Sequence, residues 1–271
     1  MKYSEEFKKC IKEELPNQTF IGLGNPSAKI IIVGKEVSTN PNSEDPLQKQ
    51  GLISYKRNVL DWNFNVENGI KLEDIKDWVI DKDLDLNKVE NNPLYAFKGT
   101  IKRYTSNTWK NYQKLYDIIF QNEMNFDNQK VLDFQKEFFI TEMSDFPASK
   151  TKDAQKQETF RKKLEERKNT FFKSEFIQNF PVVVLACSNY IWNNEKDRQI
   201  DKIFGVTYDL NKKYSKGVYD EFSKSNRFWT HYSEDGKKLV IHTRQLSNNV
   251  KNEMLNAMGT LIKQHLAKLD Q

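Results

Sequence analysis

Four short apolar runs, spread along most of the chain, decide what it can fold into. They are Ile30-Ile31-Ile32-Val33, Phe138-Phe139-Ile140, Val182-Val183-Val184-Leu185 and Leu239-Val240-Ile241. None alternates with polar residues, which is the pattern of a strand covered on both faces. Long segments, several with helical periodicity, separate them. Strands joined by such crossovers pair in parallel. The expected fold is α/β, a three-layer αβα arrangement around a central, mainly parallel four-stranded sheet.

The segments between the runs fit that plan. Residues 4–15 read as an amphipathic helix with Phe7, Ile11 and Leu15 on one face, ended by Pro16. Gly22, Gly24, Asn25 and Pro26 form a turn cluster, residues 39–50 read as a loop, and 51–62 as a helix or ordered loop. Thr108 is the expected cap of a helix from Trp109 to about Gln121. Residues 153–179 are helical and rich in charge. Residues 248–268 close the chain with a helix whose stripe is Val250, Met254, Leu255, Met258, Leu261, Ile262 and Leu266. No repeat or linker interrupts the pattern, so residues 1–271 are expected to form a single domain with insertions near 63–104 and 190–235.

Composition narrows the function classes. Two cysteines, Cys10 and Cys187, are too few for a disulfide framework or an all-Cys metal or iron–sulfur site. His231 and His265 have no Cys or His at ligand spacing, so no metal or other cofactor is expected. The first residues lack a signal-peptide core and no run approaches the roughly 20 apolar residues of a membrane span. A cytoplasmic monomer without a membrane partner is the expectation. The formal charge of +5 permits a polyanionic partner without requiring one.

Open parallel sheets build their sites beyond the carboxyl ends of the strands. There the sequence offers Gly34-Lys35-Glu36 after the first run, Thr141-Glu142 after the second, and His242-Thr243-Arg244-Gln245-Leu246-Ser247 after the fourth. Each has a plain structural reading beside the functional one. On the structural reading Glu36 caps a helix, His242 is a satisfied structural histidine, Glu142 caps or pairs an ion, and Tyr55 packs in the core.

In order along the chain, these pieces resemble the uracil-DNA glycosylase superfamily. Gly34-Lys35-Glu36-Val37-Ser38 stands where that family has a Gly-x-Asp-Pro-type loop. Gly51-Leu52-Ile53-Ser54-Tyr55 is similar to the segment that supplies a stacking aromatic, and Thr141-Glu142-Met143 stands at the base-reading position. His242 to Ser247 is similar to the His-Pro-Ser-Pro-Leu-type loop before the last helix. The loop prolines are absent, Val37 replacing the first, and so are the four cysteines of the iron–sulfur branches.

The resemblance implies hydrolysis of the N-glycosidic bond of a deaminated or modified base in single- or double-stranded DNA. Glu36 would stabilise the oxocarbenium ion and orient water, and His242 would donate a hydrogen bond to the departing base. Tyr55 would stack on the base. Glu142 and Thr141 would read its edge, an anionic Glu142 favouring an exocyclic amine. Ser247, Arg244 and Ser38 would hold phosphates. The departures from the family pattern support an alternative, a non-catalytic nucleic-acid-binding relative acting as a sensor, defence or regulatory component. A small-molecule hydrolase on the same fold is a third reading.

Overall fold

The computed structural model describes residues 3–39, 43–74, 92–94, 106–121, 132–194, 196–208 and 226–271. Its strands are β1 (Leu23–Gly24), β2 (Ile30–Gly34), β3 (Phe138–Glu142), β4 (Val182–Leu185), β5 (Thr207–Tyr208), β6 (Phe228–Tyr232) and β7 (Leu239–Thr243). They form one mixed sheet in the order β1-β3-β2-β4-β7-β6-β5. The expected four-stranded sheet is thus corrected to seven strands among the described residues. The four apolar runs lie side by side and parallel in its middle, and β1, β5 and β6 pair antiparallel at its flanks.

The strands divide their side chains between two cores. Ile31, Val33, Phe139, Val183, Leu185 and Val240 join one cluster. It also takes in residues of α1 (Glu5–Glu14), α2 (Pro46–Glu67), α5 (Phe160–Asn169) and α6 (Glu175–Gln178). Ile30, Ile32, Phe138, Ile140, Val182, Val184, Leu239 and Ile241 join the other, with residues of α3 (Asn107–Tyr116) and the closing helix α8 (Asn252–Leu269). Helices therefore cover both faces, which is why the four runs are apolar throughout.

Several local expectations shift. Ser4 caps α1 through Phe7 N. The cap of α3 is Ser106, not Thr108, and the helix passes into a π-helical turn at Asp117–Gln121. The charged stretch 153–179 is broken into α4 (Thr151–Gln155), α5 and α6. α2 runs through to Glu67, into the first proposed insertion, whose residues 75–91 and 95–104 lie outside the described residues. The second holds α7 (Gln199–Phe204), β5 and β6, while its residues 209–225 lie outside. Among the described residues, no helix is long and apolar enough to cross a membrane.

Candidate functional site at the sheet switch point

The chain lays down β2, then β3 on one side of it, then β4 on the other. The loops after β2 and β4 therefore leave the sheet where the strand order reverses, and open α/β sheets bind ligands in the crevice at that point. Here the two loops bring Glu36 and the 3-10 turn Ser188–Tyr190 together. Glu36 is only 7% exposed. One carboxyl oxygen accepts from Thr151 Oγ1 at 2.6 Å and the other from the Tyr190 hydroxyl at 2.5 Å. The Lys35 ammonium lies 5.2 Å from the Tyr190 ring centre.

His242 reaches the same turn from the next strand. β7 pairs with β4 so that His242 is opposite Leu185, and its Nε2 donates to Ser188 O at 2.8 Å. Its ring stacks on Trp229 of β6, 5.7 Å away. Burial lowers its pKa against the pull of the Ser188 carbonyl, so the neutral imidazole is favoured. Ser188 takes a φ of +52°, uncommon for a residue with a Cβ. The two residues singled out for chemistry are thus both hydrogen-bonded to one turn, Glu36 through Tyr190 and His242 through Ser188.

Glu142 ends β3 beside them, paired with Gly34 of β2. Its carboxyl lies over Gly34, where a Cβ would overlap Oε2. Only a glycine admits it. Oε2 is shut off from solvent and has no hydrogen-bond partner among the described residues. Burial and the nearby Glu36 push its pKa up to about 8, against the pull of Arg167. A neutral acid donates as well as accepts, which differs from the anionic reader expected of this position.

The remaining candidates have other surroundings. Thr141 is buried and donates to Ile21 O at 2.6 Å while accepting from Arg167 Nη2. Tyr55 is stacked on Phe20 at 5.1 Å, and its hydroxyl donates to the backbone oxygen and the carboxylate of Asp145. Ser38 is exposed in the loop after Glu36. Arg244 donates to Asn248 O, and the Ser247 carbonyl accepts from Asn111. Both stand ahead of α8, whose first helical residue is Asn252.

Sequence reasoning missed Thr151, Tyr190 and Arg167. Tyr190 follows the third apolar run as His242 ends the fourth, so the same strand-end logic could have found it. Arg167 was hidden among charges. Yet Phe160, Leu164, Arg167 and Lys168 share the buried face of α5 at helical spacing. The Arg167 guanidinium lies 4.1 Å from the Phe171 ring centre and donates to the backbone oxygens of Phe20 and Glu142.

Tyr190 also lines an open cleft of about 580 Å³, walled by α5 and the β4 loop. Among the described residues, no cluster of three or more His, Cys, Asp or Glu side chains could hold a metal ion. Comparison with protein-family models and with curated proteins finds no match to this chain.

Proposed function

We propose that the chain is a DNA glycosylase-like protein that hydrolyses the N-glycosidic bond of a deaminated or modified base. The observation that carries this reading is the shared turn, with Glu36 and His242 held on Ser188–Tyr190 at the switch point in the parallel middle of a mixed sheet. Cleavage puts positive charge on the sugar and negative charge on the departing base. Glu36, oriented by two hydroxyls, answers the first, and the Nε2 proton of a neutral His242 answers the second. Substrate entry exchanges the Tyr190 or Thr151 hydroxyl, and the Ser188 carbonyl, for substrate contacts.

One observation favours a second reading. Both Glu36 oxygens and the His242 Nε2 are already engaged within the protein. A chain that kept those bonds would bind nucleic acid without cutting it.

An abasic-site assay separates the two. The protein is incubated with single- and double-stranded oligonucleotides carrying uracil, hypoxanthine, xanthine or modified cytosines, then treated with alkali. The proposal expects strand cleavage at one lesion. It expects Glu36→Gln and His242→Ala each to lose at least about 100-fold in rate while their unfolding transitions stay cooperative. Full activity in both variants would overturn the assignment. No product from the wild type, with DNA binding that weakens steeply with salt, would establish the second reading.

A further inference from the structure

The cleft beside Tyr190 has no role in the chemistry above, yet Tyr190 belongs to both. Its ring lines the cleft and its hydroxyl binds Glu36. We infer that this cleft is a subsite for a nucleobase and its phosphate. The inference rests on the proposed reading only for the identity of Glu36 as the neighbouring reactive group.

The size, about 580 Å³, lies in the range of small-ligand sites. The floor of the cleft is aromatic, formed by the buried rings of Phe160 and Tyr190, and Trp192 is the aromatic side chain exposed at it. Phe160 and Tyr190 meet edge to face at 5.4 Å. Trp192 is 38% exposed, and its ring is backed by the Lys168 ammonium at 5.0 Å. That cation is itself buried and fixed by Glu165 and Gln199. Trp192 is therefore held in place and open at once, which is what a stacking platform requires.

The rim is polar: Glu165 brings an exposed carboxylate already paired with Lys168, and the other polar groups are uncommitted. Gln155 and Asn189 are exposed amides, and their side chains make no hydrogen bond among the described residues. Each offers a donor and an acceptor, matching the mixed pairing edge of a base. Arg161, also exposed, makes no ion pair among the described residues and presents the planar fork that suits a phosphate. An aliphatic ligand would leave the amides and the guanidinium unmatched.

A base with a phosphate can come from a free nucleotide or from a nucleic-acid strand, and calorimetric titration distinguishes them. The full chain is titrated with deoxynucleoside monophosphates in one arm and with a short single-stranded oligothymidylate in the other. Saturable binding is expected in at least one arm, weakened about tenfold or more by Trp192→Ala. Arg161→Glu is expected to weaken it several-fold and to flatten its salt dependence. Arg161 is exposed, so this variant keeps the test valid even where Trp192→Ala fails to fold. No binding in either arm at about millimolar ligand, or binding that both variants leave unchanged, would overturn the subsite. Binding at the cleft with no abasic product would overturn the glycosylase reading alone. Base release with no effect of either substitution would overturn the subsite alone.

Discussion

At Glu142 the chain holds a carboxyl whose Oε2 is shut off from solvent and has no partner among the described residues, and the consequence is a specific dependence of stability on pH. Burial and Glu36 raise its pKa from the ordinary 4.5 to about 8. Between those values the folded protein keeps a proton that the unfolded chain has lost, so stability falls as pH rises through the window. His231 acts in the opposite sense. Burial lowers it from 6.5 to about 4, against a contact with Asp201, so stability is lost as pH falls through that window. The two slopes oppose each other between 4.5 and 6.5, and of these two groups only Glu142 acts from 6.5 to about 8. Thermal unfolding of the wild type is predicted to weaken over that upper window by about 1–2 kcal/mol, while Glu142→Gln stays flat there. An equal decline in the variant would show that the carboxyl is not the cause. The sequence showed Glu142 at a strand end. It could not show that Gly34 would make room for the carboxyl, because that depends on the register of β2 against β3.

Among the elements, the contact between α8 and the π-helical turn depends on one missing side chain. A Cβ on Gly259 would come within 2.6 Å of Ile118 Cγ2. In an open helix alanine would be favoured over glycine by roughly 0.5–1 kcal/mol. Here Gly259→Ala is predicted to destabilise by about 1–3 kcal/mol through overpacking. Denaturant unfolding checks the sign, and stabilisation would mean that α8 and the turn are not in close contact. α8 itself was legible, since Met254, Leu255, Met258, Ile262 and Leu266 all fall in the core as their spacing requires. β6 was not read, although Phe228-Trp229-Thr230-His231-Tyr232 is rich in the aromatic and β-branched residues that strands favour. Its polar members obscured it, and they are tolerated because β6 lies outside the parallel core. The interruption of 153–179 into separate helices was equally hidden, because α5 buries Arg167 and Lys168 within a stretch read only as helical and rich in charge.

Across the whole molecule, the parallel core was readable because four unbroken apolar runs admit few other arrangements. The order of those strands was not. It is that order, with β2 between β3 and β4, that brings the loop carrying Glu36 against the loop carrying Tyr190. Glu36 and His242 were named from strand-end logic and from family resemblance, whereas Thr151 and Tyr190, which fix Glu36, come from elements that meet only in three dimensions. The central claim is that a base binds beside this switch point, where Tyr190 joins the Glu36 turn to the cleft, and photocrosslinking tests it without relying on turnover. An oligonucleotide carrying iododeoxyuridine would be irradiated with the protein and the joined peptides mapped by mass spectrometry. The account predicts crosslinks at Tyr190 or Trp192. Crosslinks confined to the opposite, amino-terminal edge of the sheet would contradict it.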